Sequence, residues 1–93
     1  MPKAKARWWV YILRCADDTL YTGITTDLAR REKQHNAGTA SKYTRSRRPV
    51  TLAYREAAAS HGAALRREYA IKKLSRSAKE TLISTHARRR KRA

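Results

Sequence analysis

Five side chains in this sequence have the types and spacings needed to act on a phosphate ester: Tyr11, Tyr21, Arg31, His35 and Glu68. Three of them, Tyr21, Arg31 and His35, fall in "LYTGITTDLARREKQHNAG", residues 20–38, together with Gly23. Arg31 stands three residues after Leu28 and four before His35, so all three share one face of a helix. A guanidinium on that apolar face wants an anion, and its five-donor fork fits a phosphate. The plain alternative is a solvated charge, or a partner for Glu32 or Glu68. His35 can donate to a phosphate oxygen or shuttle a proton; equally, it is a basic residue at a helix C-terminus, where the dipole favours it. Glu68 has Leu65 and Ile71 at i−3 and i+3. A carboxylate among apolar neighbours is costly unless paired or metal-bound. One carboxylate with substrate phosphate and water is an ordinary magnesium arrangement, and a salt bridge to Arg31 or Lys72 is the alternative. Tyr11 and Tyr21 come close to opposite one another on a predicted hairpin, where two phenols could position a water. Either acts as a base only if its pKa of about 10 is lowered by nearby cations; otherwise both are ordinary strand aromatics. Tyr43, in the basic run "SKYTRSRR" with Lys42, Arg45, Arg47 and Arg48, can stack on a base or touch a phosphate.

The elements that must hold these groups follow from pattern. "WWVYILR" (8–14) is rich in aromatic and β-branched residues and reads as a strand. "CADDT" (15–19) is a turn, since Asp favours turn backbones. "LYTGIT" (20–25) returns as the second strand, with Gly23 marking a close approach or a break in pairing. A helix capped by Thr26 or Asp27 follows and ends at Gly38. Residues 39–49 are a basic loop carrying nucleic-acid-binding candidates Lys42, Tyr43, Arg45, Arg47 and Arg48. "VTLAYRE" (50–56) is a third strand. Residues 63–74 are helical, with Leu65, Glu68, Ile71 and Lys72 on one face and Lys72 a further candidate phosphate contact. "SAKE" (77–80) reads as a capping box that opens a short last helix. The order β-β-α-β-α-α describes an α+β domain: a small three-stranded antiparallel sheet flanked by helices. The domain spans 8–87, between a flexible basic N-terminus (1–7) and a disordered basic C-terminal tail (88–93).

Composition limits the classes of function. The 93 residues hold 23 Lys and Arg against 7 acids, a formal charge of +16. Setting aside Lys3, Lys5, Arg7 and the closing "RRRKR" leaves 15 against 7, so the body is itself basic at +8. Such charge attracts polyanions, and nucleic acid is the first expectation. No long amphipathic helix supports a membrane surface. The hydrophobic 41% includes 16 alanines, so the core is small. Cys15 is alone, which excludes an internal disulfide and a cysteine metal cluster. A soluble cytoplasmic protein is expected, with no membrane partner. There is no P-loop, Rossmann glycine pattern, zinc spacing or serine triad. Asp17 and Asp18 sit in the hairpin turn, and His35, His61 and His86 are scattered without ligand spacing.

The order of the five groups is more specific than any one of them. "VYI" on a first strand, "YTG" ten residues on, then an Arg and a His eight and twelve after the glycine, then a helical Glu: this resembles the GIY-YIG nuclease superfamily, and among its members the small stand-alone bacterial ones. The resemblance covers about residues 8–83. It implies cleavage of DNA phosphodiesters with Mg2+ or Mn2+. Tyr11 and Tyr21 match the two motif tyrosines, Gly23 the second motif's glycine, Arg31 and His35 the helix pair, and Glu68 the metal-binding glutamate. Trp9 stands where the first motif has glycine, and Ile24 stands where some members carry lysine. Asn36 is the only asparagine, and it is not near the domain's end. The expected function is a metal-dependent, structure-selective endonuclease of DNA, in repair or processing, with RNA a further possible substrate and a protein partner supplying specificity. The rival is a non-catalytic nucleic-acid-binding module using the same basic cleft. A ribosomal-type RNA-binding protein would fit the tails but leaves the ordered constellation unexplained.

Overall fold

The computed structural model describes residues 7–92; residues 1–6 of the expected flexible N-terminus lie outside the described residues. The elements are β1 (Trp8–Arg14), β2 (Leu20–Thr25), α1 (Leu28–Ala37), α2 (Lys42–Arg45), β3 (Thr51–Ala58), α3 (His61–Lys72) and α4 (Arg76–Arg92). The three strands form one antiparallel sheet in the order β2-β1-β3. The α+β expectation holds.

The central place of β1 explains its composition. A strand covered on both faces needs apolar residues at every position rather than at alternate ones. Val10 and Ile12 pack on one face with Tyr54, Ala64 and Ile71, roofed further by Leu82 and Ile83. Tyr11 and Leu13 pack on the other with Cys15, Val50 and Leu28 of α1. Val10, Ile12 and Leu13 are almost wholly buried, and each such side chain contributes about 1.5–3 kcal/mol. The two faces therefore separate the helices: α3 and α4 lie below, α1 above.

Local capping sets the helix boundaries. Asp27 accepts from the backbone N–H of Arg30 at 3.1 Å, and Gly38 closes α1 in the left-handed region at φ 83°. Asn36, near the end of α1, clamps the chain entering β3: its amide donates to the carbonyl of Val50 at 3.0 Å, and its oxygen accepts from the Val50 N–H at 2.7 Å.

Four expectations need correcting. The 39–49 loop contains a single-turn helix, α2, capped by Ser41, too short for any periodicity to announce it. α3 begins at His61 rather than Ala63, because Ser60 caps it. The last helix is capped by Ser75, whose hydroxyl accepts from Ala78 N–H at 3.1 Å, so Ser77 is not the N-cap of a capping box. That helix is also not short: the backbone stays helical through Arg92, where a disordered tail from residue 88 was expected.

Glu80, the expected capping-box acid, serves an ion network instead. Its carboxylate takes a two-pronged grip from Arg14 (2.8 and 3.0 Å) and another contact from Arg76 (2.7 Å). Both arginines also reach Asp18, so the hairpin turn, β1 and α4 are tied together. The Arg14 and Arg76 hydrogen bonds hold the Glu80 carboxyl down at about 2.

Candidate active site

Tyr11 is the hub of the constellation. Its register partner on β2 is Gly23, and Tyr21 faces Leu13, so the two tyrosines sit diagonally on one sheet face rather than opposite. Gly23 is required by this geometry. A Cβ there would meet the Tyr11 hydroxyl at 2.5 Å and its Cζ at 2.7 Å, closer than real carbon atoms come. The phenol lies across the glycine toward the β2 edge. Gly23→Ala is therefore expected to displace Tyr11 and destabilise the fold by about 1–3 kcal/mol, as overpacking does; urea denaturation beside the parent measures it.

His35, from α1, packs against this hub. Its ring is fully buried. Nε2 is 3.0 Å from the Tyr11 hydroxyl and Nδ1 is 2.8 Å from Thr44 Oγ1. Both ring nitrogens are thus engaged by protein groups, which corrects the expectation that His35 donates directly to a phosphate oxygen. Burial, and then the positive charge of Arg31, push the imidazole down from 6.5 to about 4, so it is neutral at physiological pH. Burial also raises the Tyr11 pKa; the Arg31 guanidinium beside it pulls the other way, while Tyr21 and Glu68 add to the rise. Tyr11 keeps its proton. The condition for a base, a pKa lowered by nearby cations, is not met at Tyr11, whose side chain is 2% exposed.

These two depressed pKa values separate in pH. His35 is held neutral, so its contribution to stability is present above about 6.5 and is lost as pH falls through about 4. Glu80 is held ionised, so its contribution is present above 4.5 and is lost as pH falls toward about 2. Stability measured by denaturant at successive pH values should fall in both windows. His35→Gln should remove the upper loss, and Glu80→Gln should shrink the lower one.

Arg31 reaches the site from α1. One of its terminal nitrogens donates to Gln34 Oε1 at 3.0 Å, while its Nε is buried with no hydrogen-bond partner. An unmatched buried donor on a cation calls for a partner, a water or an anion. Beside it opens a cavity of about 340 Å3, lined by Trp8, Ile24, Thr25, Arg30 and Gln34 among others. Glu68 comes from α3, on the other side of the sheet. Its side chain is 18% exposed and pairs with Lys72 Nζ at 3.2 Å, one of the two salt bridges the sequence allowed. The apolar face anticipated around it is half right: Ile71 is buried, but Leu65 is 45% exposed.

Of the other candidates, Lys42, Tyr43 and Arg45 are exposed on α2. Tyr43 stands 5.8 Å from the Tyr21 ring, between centroids, and so continues the site's edge. Arg47 caps the Tyr43 ring at 3.9 Å and pairs with Asp17 at 3.1 Å. Arg48 folds back to donate to the Arg45 carbonyl at 2.8 Å. Those two arginines are committed to protein contacts, and Lys72 to Glu68. Thr44, Ser41 and Asn36 were missed. An S-x-x-T spacing at 41–44 was the available signal, since Ser41 Oγ caps the Thr44 N–H at 3.1 Å.

A sequence profile described as the GIY-YIG catalytic domain matches residues 7–81. The chain belongs to the GIY-YIG family. That family is one of nucleases. This GIY-YIG domain is 57% identical over 77 residues to a UPF0213 protein of Desulfotalea psychrophila, covering 82% of this chain and 70% of that one. It is 56% identical to a UPF0213 protein of Halobacterium salinarum, covering 80% and 96%. The solution NMR structure of a UPF0213 protein from Bacillus halodurans matches with a TM-score of 0.56 at 48% identity, over 85% of this chain and 84% of that one. A second NMR structure, of an E. faecalis protein, matches with a TM-score of 0.59 at 38% identity, over 91% and 90%. Among the described residues of this GIY-YIG domain, no helix is long and apolar enough to cross a membrane.

Proposed function

We propose that this GIY-YIG domain is a divalent-metal-dependent endonuclease that hydrolyses DNA phosphodiesters, with its substrate chosen by structure rather than sequence. The observation that carries the reading is the grouping about Tyr11: His35 Nε2 lies 3.0 Å from its hydroxyl, and the charges of Arg31 on α1 and Glu68 on α3 both act on the phenol. Nothing in the packing of a binding module requires a carboxylate among these cations.

The donor set suits Mg2+ or Mn2+. Among the described residues there is no cluster of three or more His, Cys, Asp or Glu, so an all-protein cage is not on offer. Magnesium does not need one, because it keeps several waters and binds through one or two carboxylates plus phosphate oxygens. Glu68 would hold it. When bound, such an ion supplies Lewis-acid polarisation of the phosphoryl group and stabilises the leaving oxygen.

The remaining work belongs to the chain's own residues. Arg31, with its Nε unmatched, stabilises charge building on the phosphoryl oxygens. Tyr11, which keeps its proton, orients the attacking water by hydrogen bonding. Tyr21 is half-buried against His35 and is the phenol more open to solvent. Lys42, Tyr43 and Arg45 grip the nucleic acid outside the reacting centre, by charge and by base stacking. Arg47, Arg48 and Lys72 join them only by exchanging their present partners. A cytoplasmic setting and a protein partner that supplies further specificity complete the reading.

The deciding experiment incubates the purified protein with labelled single-stranded, duplex and branched DNA and a matched RNA, each with Mg2+, Mn2+ or EDTA. Metal-dependent cutting of one DNA form is the expected result. Binding to all with cutting of none would favour the binding module, for which the Glu68–Lys72 pair is a plain surface salt bridge.

A further inference from the structure

A buried chain of hydroxyls behind His35 has no part in the chemistry above. Thr44 is fully buried, although α2 lies at the surface. Its Oγ1 is 2.8 Å from His35 Nδ1, 3.0 Å from Ser41 Oγ and 3.4 Å from the Ser41 carbonyl oxygen. Ser41 Oγ in turn accepts from the Thr44 N–H, and the Ser41 carbonyl accepts from Arg45 N–H. The run Ser41–Thr44–His35–Tyr11 therefore joins the cap of α2 to the hub of the site.

Two directions satisfy these atoms, since either hydroxyl can donate and the imidazole can carry its proton on either nitrogen. The Ser41 carbonyl, 3.4 Å away, can only accept, and it favours the arrangement in which the Thr44 hydroxyl proton turns toward Ser41. In that arrangement a lone pair of Thr44 Oγ1 faces His35 and Nδ1 carries the proton. A neutral imidazole protonated at Nδ1 has a bare lone pair on Nε2. The Tyr11 hydroxyl, 3.0 Å away, must then donate to it.

We propose that Thr44 is a positioning residue for Tyr11: by fixing the His35 tautomer it points the Tyr11 O–H at Nε2 and leaves the phenol oxygen to accept, from Arg31 beside it and from a water. The opposite tautomer would have Nε2–H donating into that oxygen and competing with the water. The catalytic consequence rests on the nuclease reading; the bond direction does not. Placing Thr44 on α2 has a second effect. The four-residue helix that turns Thr44 inward carries Lys42, Tyr43 and Arg45 outward, so the grip on nucleic acid and the aim of Tyr11 depend on one element.

The test reads the His35 tautomer by 15N NMR of the full chain, without nucleic acid, and cleavage kinetics separately. The parent and Thr44→Ser should show Nδ1-protonated His35. Thr44→Val, which keeps the shape and removes the acceptor, should shift the ring toward the Nε2-protonated form. It should also lower kcat about ten- to hundredfold, as loss of an orienting partner does, with KM unchanged and Thr44→Ser restoring the rate. An Nε2-protonated His35 in the parent overturns the proposal whether or not the valine variant folds. So does a folded Thr44→Val protein with tautomer and kcat both unchanged. The expected tautomers in a protein that cuts nothing would uphold the orientation and defeat the nuclease reading alone.

Discussion

Glu68→Ala should lower metal-dependent cleavage about a thousandfold or more, because losing a Lewis acid worth several kcal/mol costs about one decade of rate per 1.36 kcal/mol. Binding of the uncut nucleic acid should be unchanged or tighter, since the substitution removes a negative charge from a cationic surface and frees the Lys72 ammonium. Stability should scarcely change. The pair is an i,i+4 contact whose lysine is more than half exposed, and such pairs contribute less than about 1 kcal/mol. Single-turnover cleavage, binding in EDTA and a thermal melt together separate the three effects. Cleavage that persists in the alanine variant would remove Glu68 from the chemistry, and the divalent ion would need another seat. A matching loss of binding would mean that Glu68 organises the surface instead.

Arg31→Ala should cost about a hundred- to thousandfold in rate, the usual consequence of deleting a donor aimed at developing charge. Arg31→Lys is the more informative variant. Lysine keeps the charge but has no Nε donor part-way along the side chain and no planar fork. In this protein the Nε is the buried, unmatched atom, while a terminal nitrogen is already spent on Gln34. The lysine variant should therefore recover little of the lost rate while keeping most of the salt-dependent binding. Near-parental cleavage by the lysine variant would show that Arg31 acts as a charge alone. Because Arg31 also helps hold His35 down at about 4, alanine there should let the imidazole pKa rise, which NMR titration of His35 can follow.

Much of this architecture could be read along the chain, for identifiable reasons. The strands of the hairpin and the first helix are specified locally. β1 is apolar from Trp8 to Leu13 because it is central, and α1 is bracketed by an Asp cap and a glycine in the left-handed region. The ordered Tyr, Tyr-x-Gly, Arg, His, Glu series is a property of sequence, and it pointed to the family that the profile match bears out. Single-turn and boundary features were harder to read. α2 has one turn and no period. The Ser75 cap was passed over because Ser77 and Glu80 imitate a capping box, while Glu80 is taken by Arg14, 66 positions away.

The roles within the site divide along the same line. The sequence alone established which groups are present, that Arg31 and His35 share a helix face, and that the body is cationic, because helical spacing and net charge need no tertiary information. Only the fold decided that Tyr11 is buried and keeps its proton, that His35 is neutral with both nitrogens engaged, and that Thr44 stands behind it. Each depends on desolvation and on partners brought in from other elements: α2 supplies Thr44 to His35, and α3 brings Glu68 to the sheet that carries Tyr11. A residue's charge state is set by what surrounds it in space, and those neighbours are fixed only when the chain closes around the sheet.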